Sequence, residues 1–585
     1  MFTVAHALEL AVQHHRAGNL PEAEQLYQQI LEADPHQVDA LHLLGVLAHQ
    51  RGSSDLAVQY ISAALRLRPD YAEAHNNLGL ALKAQGRLDE AVAAYRQALH
   101  LKPGFSEGHN NLGAALAECG QLEEAAAAYQ QALRLRPDYA NAHTNLGNVF
   151  KDKGELEEAI VCYRRALGIK PDPEQHSNLL YTLNFCAGHN GRAIYEESCR
   201  YNELYAEPLA KLILPHRNDP SPERRLRVGY VSPDFYAHVV GRFLLRLLET
   251  HDHTKFEIFC YASVRVPDVV TEHCRSHADV WRNALGISDE EVAQMVRQDR
   301  IDILVDLTMH MAHNRMLVFA RKPAPIQVTY LAYCGTTGLR TIDYRLTDPY
   351  LDPPARSAEY YSEQSIRLPE TYWCYWPKVQ APPVDALPAL QNGYLTFGCL
   401  NNFCKVTAPT LEAWRRLLKK TPESRLFLHA KAGSHRDRVR GFLVQEGIAP
   451  DRVTFLPRTP DQQYLSSYQR MDIALDPFPY GGGTTTCDAL WMGIPVVSLA
   501  GQTAVGRGGL SILSNIGLAD LVADNVEEYV EIASRLGADL PRLSNLRATL
   551  RERMQKSPLM DAPRFARNIE AAYQDMWKKW CSLRS

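Results

Sequence analysis

The sequence predicts an α-solenoid of paired helices followed by an α/β region built in two halves. Three observations predict it. A 34-residue period runs through the first 175 residues, short β-branched runs alternate with helical lengths beyond residue 225, and that alternation restarts after a Pro-rich joint at 377–393.

The period is read from three markers. Pro35, Pro69, Pro103, Pro137 and Pro171 stand 34 positions apart, and Gly18, Gly52, Gly86, Gly120 and Gly154 keep the same interval, as do Ala23, Ala57, Ala91, Ala125 and Ala159. The glycine permits a turn between two helices, the alanine lets them approach closely, and the proline ends the second helix. This is the tetratricopeptide signature. A single helix pair cannot bury its apolar face, so copies stack into a curved solenoid that offers a surface to protein or peptide. The clearest copies run from about Val38 to Pro173, after a degenerate first copy. A partial sixth begins at HSNLLYTLNF (176–185). A charged helical stretch then leads to a polar joint, NDPSPERR (218–225).

Beyond that joint, RLRVGYVS, FEIFCYAS, IDILVDLT, APIQVTYLAY and YRLTDP read as strands. YLTFGCL, SRLFLHA, RVTFLP, MDIALD and IPVVSLA do so in the second half. Strands alternating with helical lengths make a parallel sheet covered by helices. Two such halves enclose a cleft, and open α/β sheets bind ligands at the carboxyl ends of their strands. The expected domains are a solenoid (1–190), a helical linker (191–225), a first lobe (226–376), the Pro-rich joint (377–393) and a second lobe (394–585). The last helical segment, APRFARNIEAAYQDMWKKWC, is expected to pack back across the halves.

Composition narrows the partners. A formal net charge of −4 over 585 residues gives no reason to expect nucleic acid or an anionic membrane. The N-terminus, MFTVAHALELAVQHHRAG, has neither the basic region nor the apolar core of a signal peptide, and no stretch approaches the length of a membrane span. The 12 cysteines are scattered singly without CxxC pairs, as reduced thiols are. A cytoplasmic protein is expected.

Three segments carry chemistry. In DPFPYGGGTTTCDALWMGIPVV (476–497) a strand runs into Gly481, Gly482 and Gly483, and Thr484, Thr485, Thr486 and Asp488 open a helix. Glycines let the backbone approach an anion, the helix N-terminus offers unpaired N–H groups, and threonine hydroxyls add donors. The alternative is an ordinary Gly-rich turn capped by Thr and Asp. In LTFGCLNNFCKVTAPT (395–410), Asn401, Asn402 and Lys405 follow the first strand of the second half, where a lysine can neutralise a diphosphate leaving group. The alternative there is a solvated loop lysine. In VGYVSPDFYAHVVGRF (228–243), Asp234 and His238 follow the first strand of the first half, and histidine is the usual general base near neutral pH. His310 and His313, after IDILVDLT, hold an equivalent position; structural histidines are the alternative for all three.

Repeats followed by VGYVSPDFYAH, RKPAPIQVTYLAYCGTTG, TFGCLNNFCK and PFPYGGGTTTCDALWMGIP closely resemble the protein O-linked N-acetylglucosamine transferases and their SPINDLY branch. The resemblance covers nearly the whole chain. It implies Rossmann-like lobes of the GT-B type, a nucleotide sugar held mainly by the second lobe, and inverting transfer to Ser or Thr without metal or other cofactor. Position by position, it implies that Lys405 stabilises the diphosphate, that Thr484 and Thr485 bind phosphate and that Asp488 contacts the ribose. His238 matches a histidine that either acts as base or positions sugar and acceptor while the donor's phosphate takes the proton. Asn77, Asn111 and Asn145 match an asparagine ladder that bonds an extended acceptor peptide, the alternative being bonds to their own backbone. His310 is placed with them on the acceptor side. Asn402, Tyr464 and Gly483 stand at nucleotide-sugar positions where the animal enzymes carry Gln, His and His, and the long animal insertion between the lobes is absent. The donor implied first is UDP-N-acetylglucosamine. GDP-fucose, understood to be the donor of plant SPINDLY, is the second. Two other readings are a scaffold whose lobes bind nucleotide without turnover and a relative of the adhesin N-glycosyltransferases.

Overall fold

In the computed structural model, which describes residues 3–356, 360–377, 381–457 and 461–584, each of the first four repeats folds into two packed helices. These are Val4–Arg16 with Leu20–Ala33, Val38–Gln50 with Ser54–Leu67, Ala72–Ala84 with Leu88–Leu101, and Ser106–Glu118 with Leu122–Leu135. Ala140–Asp152 and Leu156–Ile169 continue the pattern. Gly18, Gly52, Gly86 and Gly120 turn between the helices at φ of 75° to 80°, a conformation that favours glycine. Ala23, Ala57, Ala91 and Ala125 are fully buried where the helices meet. A second glycine series, unread in the sequence, allows the same contact from the facing helix. A Cβ on Gly79 would come within 2.6 Å of the Tyr95 ring, and one on Gly113 within 2.8 Å of Tyr129.

The chain divides into two compact units. One comprises Met1–Lys153, Val161–Lys170 and Ala432–Ser434; the other comprises Gly154–Ile160, Pro171–Lys431 and His435–Ser585. The partial sixth repeat therefore belongs to the second unit. Its helix, Pro173–Leu183, is capped by Asp172, whose carboxylate accepts from Gln175 N at 3.0 Å.

The second unit holds two sheets, parallel throughout. The first is built from β1 (Leu226–Ser232), β2 (Phe256–Ala262), β3 (Val280–Asn283), β4 (Ile303–Asp306), β5 (Ile326–Thr329), β6 (Tyr344–Thr347) and β7 (Gln364–Arg367), in the order β3-β2-β1-β4-β5-β6-β7. The second is built from β8 (Thr396–Cys399), β9 (Arg425–His429), β10 (Val453–Leu456), β11 (Ile473–Leu475), β12 (Val496–Leu499) and β13 (Val522–Ala523), in the order β10-β9-β8-β11-β12-β13. Central strands such as β4 and β8 are buried along their whole length, which is why they read as apolar runs. The strands the sequence did not reveal, β3, β7 and β13, lie at sheet edges. VWRN and QSIR are partly exposed and carry no apolar pattern.

In both sheets the chain order reverses beside the first strand, between β1 and β4 and between β8 and β11. Crossovers leave these points in opposite directions and open a crevice at the strand ends. The loops after β1, β8 and β11, which carry His238, Lys405 and Gly483, all begin there. The C-terminal helix Ala562–Ser582 returns to the first lobe. Tyr573 Oη lies 3.3 Å from Tyr230 Oη, and Glu570 Oε1 lies 2.9 Å from His251 Nδ1. Residues 378–380 of the Pro-rich joint lie outside the described residues. No helix among the described residues is long and apolar enough to cross a membrane.

Candidate active site

The two lobes enclose a cavity of about 440 Å³ lined by His238, Asn402, Lys405, Tyr464, Gly483, Thr484, Thr485 and Asp488 among others. His310 is not among them.

Gly483 is the N-cap of helix Thr484–Trp491, at φ −131° and ψ −83°. A side chain there would meet the Trp373 ring at 3.1 Å, so glycine keeps the helix entrance open beside the indole. Thr484 opens the helix on the cavity wall. Thr485 Oγ1 donates to Asn401 Oδ1 at 2.9 Å, which ties the loop after β8 to the helix. Thr486 Oγ1 donates to Asp476 Oδ1 at 3.0 Å at the end of β11. Burial pushes the Asp476 carboxyl up to about 6.

Lys405 closes a 3₁₀ turn, Phe403–Lys405, directly after β8. Its Nζ donates to Gly481 O at 2.8 Å and stands 4.0 Å from the Tyr480 ring centroid. A carbonyl and an aromatic face hold the ammonium without neutralising it. Burial lowers its pKa to about 8. Asn402, beside it, is exposed at the cavity rim, whereas Asn401 is buried.

Asp488 is 1% exposed and doubly held: Arg242 Nη2 donates to Oδ1 at 2.9 Å, and Tyr375 Oη donates to the same atom at 2.7 Å. Arg242 lies on helix Val239–Thr250 of the first lobe, so this pair joins the lobes. Tyr464 faces the cavity with its hydroxyl 2.8 Å from Tyr468 Oη, which itself donates to Thr485 O at 3.2 Å.

His238 is the N-cap of helix Val239–Thr250. Its Nδ1 is 3.4 Å from Val240 N and 3.5 Å from Asp234 Oδ1. The two contacts demand opposite tautomers. Accepting from Val240 N leaves the proton on Nε2, whereas a proton on Nδ1 facing Asp234 frees Nε2 to take one.

His310 is a correction. It is 1% exposed, with Nε2 2.8 Å from Thr337 O and Nδ1 3.0 Å from Ser177 Oγ. A carbonyl only accepts, so Nε2 carries the proton and Nδ1 accepts from the serine. Burial lowers its pKa to about 4, and the neutral ring joins helix Pro173–Leu183 to the loop at 337. Both ring nitrogens are thus engaged inside the protein, away from the cavity. His313 is exposed at φ 59°, outside the cavity lining.

In the repeat unit Asn77, Asn111 and Asn145 are half-buried and bond across repeats. Asn111 Nδ2 donates to Asn76 Oδ1 at 3.0 Å, and Asn145 Nδ2 to Asn110 Oδ1 at 3.1 Å. Asn77 Nδ2 stands 2.8 Å from His42 Nε2. Each of the three amide nitrogens thus meets a side chain of the preceding repeat, and Asn77 Oδ1 also accepts from Asn76 Nδ2 at 3.4 Å.

Arg242, Tyr375 and Trp373 escaped the sequence reading as site residues. So did an aromatic wall in which Phe185, just beyond helix Pro173–Leu183, packs 5.0 Å from Tyr480. Asn401, named in the sequence for its place at a strand's carboxyl end, is the residue of that loop that holds Thr485.

Two α/β lobes with a cavity at their facing strand ends, preceded by helical repeats, define a tetratricopeptide solenoid joined to a GT-B transferase fold. The chain matches the glycosyl transferase family 41 model over 171–376 and 386–569, and tetratricopeptide repeat models over segments including 8–72 and 140–173. It belongs to glycosyl transferase family 41. It is 44% identical over 372 residues to a probable UDP-N-acetylglucosamine–peptide N-acetylglucosaminyltransferase SPINDLY from Solanum lycopersicum, covering 62% of this chain and 40% of that one. It is 31% identical over 370 residues to the corresponding SEC protein of Arabidopsis thaliana, covering 61% and 38%. An O-GlcNAc transferase mutant from Thermobaculum terrenum superposes with a TM-score of 0.81 at 36% identity, covering 88% of this chain and 98% of that one. The chain spans about two fifths of the length of the curated relatives it matches.

Proposed function

We propose that this protein is an inverting protein O-glycosyltransferase that moves N-acetylglucosamine from UDP-N-acetylglucosamine to Ser or Thr hydroxyls of proteins docked by the repeats. The observation that carries the reading is the convergence of Lys405, the amino end of helix Thr484–Trp491 and His238 on one cavity. The names of the SPINDLY, SEC and Thermobaculum relatives support it.

In the proposed step the acceptor oxygen bonds to the anomeric carbon as the bond to the diphosphate breaks. The nucleoside diphosphate leaves with the electron pair. Lys405, held in the free protein by the Gly481 carbonyl and the Tyr480 ring, turns to the leaving charge, and the helix N–H groups meet the phosphates. One ammonium and these dipoles supply the stabilisation, so the reaction is proposed to need no metal. The hydroxyl proton passes to His238 or to the donor's phosphate. Twelve cysteines scattered singly along the chain accord with a reducing compartment, and we place the protein in the cytoplasm.

A second reading, transfer of fucose from GDP-fucose, is favoured by Tyr464 and Gly483. They put a phenol and an open space beside Trp373 at the positions where the animal enzymes are expected to carry imidazoles. Calorimetric titration of UDP and GDP into the full chain, followed by a transfer assay with the matching sugar, separates the readings. UDP at least tenfold tighter, with transfer, supports the first; the reverse order supports the second. Failure to bind either nucleotide overturns both.

A further inference from the structure

Glu249, His273 and His277 each offer a ligand atom within 4.8 Å of the other two, and none of them lines the cavity. Glu249 lies near the end of helix Val239–Thr250, His273 is in helix Val269–Ser276, and His277 caps that helix. His273 Nε2 is 2.8 Å from Glu249 Oε1, and the two imidazole rings, one helical turn apart, have centroids 4.9 Å apart.

The groups around this trio orient it as metal sites are oriented. Arg246 donates to Glu249 Oε2, leaving Oε1 turned to His273. His277 Nδ1 lies 2.9 Å from His273 O. That carbonyl only accepts, so Nδ1 holds the ring proton and Nε2 keeps the lone pair. A ligating histidine typically gives its other N–H to a carbonyl in this way. Two imidazoles and one carboxylate suit zinc, whereas magnesium and calcium take all-oxygen shells.

We propose that this trio binds a divalent transition cation of the zinc class, with water completing the shell. Tetrahedral bonds of about 2.0–2.1 Å set the ligand atoms roughly 3.4 Å apart, so the His273–Glu249 contact opens slightly to admit the ion. Exposed His273 and half-buried His277 have room for that movement. The cation staples the ends of the two helices. Their beginnings are already joined, because Ala237 N donates to Asp268 Oδ2 at 2.7 Å. Helix Val239–Thr250, which carries Arg242 and is capped by His238, is then held at both ends.

The test is calorimetric titration of Zn²⁺ into the full chain after chelator treatment, with His273→Ala and Glu249→Gln alongside. With 22 histidines and 12 cysteines other weak sites are expected, so the difference between proteins is what is read. The wild type should bind one equivalent more than His273→Ala, and its melting temperature should rise with zinc where the variant's does not. Glu249→Gln, which preserves side-chain shape, should weaken that equivalent about tenfold or more, and it decides the matter if His273→Ala fails to fold. Equal stoichiometry and affinity in wild type and a folded variant, or displacement of the zinc by equimolar Mg²⁺, overturns the proposal.

Discussion

Arg242 Nη2 and Asp488 Oδ1 stand 2.9 Å apart, a buried ion pair between residues 246 positions distant that joins the two lobes beside the cavity. Both side chains line that cavity, so the pair is placed to report on donor binding as well as on lobe contact.

Arg242→Ala leaves the Asp488 carboxylate buried without its counter-charge, with neutral hydroxyl donors such as Tyr375. Breaking a buried pair from one side typically costs about 3–5 kcal/mol. The unfolding midpoint of the catalytic unit in urea should fall accordingly, and nucleotide affinity with it. An unchanged midpoint would show that the lobes are held by other contacts.

Lys405→Ala should lower transfer on the order of 10²-fold or more while leaving the fold intact, since it removes a cation from a developing diphosphate charge. The lysine must be protonated to act, and burial has lowered its pKa to about 8. The rate at low donor concentration should therefore fall on the alkaline side with a midpoint near 8. Stability runs the other way. The unfolded chain keeps a proton there up to the usual lysine value, so this group's contribution to stability rises with pH above about 8. Lys405→Arg should remove the alkaline limb of the rate profile, and a limb that persists in this variant assigns the titration to another group.

Tyr464→Ala should weaken the preferred nucleotide about tenfold, because stacking of a base on an aromatic ring is worth roughly 1–3 kcal/mol. Tyr464→Phe keeps the ring and gives up the hydroxyl's bond to Tyr468, whose own link to Thr485 O survives, so it should bind within about threefold of wild type. A dissociation constant unmoved by the alanine would place Tyr464 outside the base site.

Removing residues 1–137 should spare nucleotide binding and strongly reduce modification of whole proteins. The cut falls at a repeat proline and keeps helix Leu156–Ile169, part of which belongs to the second unit. Asn77→Ala, Asn111→Ala and Asn145→Ala together should give a milder acceptor defect and also lower the repeats' melting temperature, each lost inter-repeat bond being worth about 0.5–1.5 kcal/mol. Equal rates on whole proteins for the truncated and full chains would separate the repeats from acceptor docking.

The repeats were legible because a stacked array repeats its packing constraints in the chain: the turn at Gly52 and the helix contact at Ala57 recur at a fixed interval. The central strands were legible because burial on both faces leaves continuous apolar runs. The edge strands β3 and β7, half in water, leave none, whereas the edge strand β10, mostly buried, could be read. Lys405 and His238 could be placed in the cleft because a strand's carboxyl end is a local feature, visible from the run that precedes it.

What the sequence by itself determined, then, was everything set by neighbours along the chain: the period, the strand ends, the Gly-rich helix entrance. Only the tertiary structure decided which distant groups meet. It paired Arg242 with Asp488, brought Trp373 against Gly483, and buried His310 against Ser177, 133 positions earlier, turning a candidate acceptor contact into a structural bolt. The physical reason is that charge and hydrogen-bond partners across a fold are chosen by packing, and packing is not periodic in the chain.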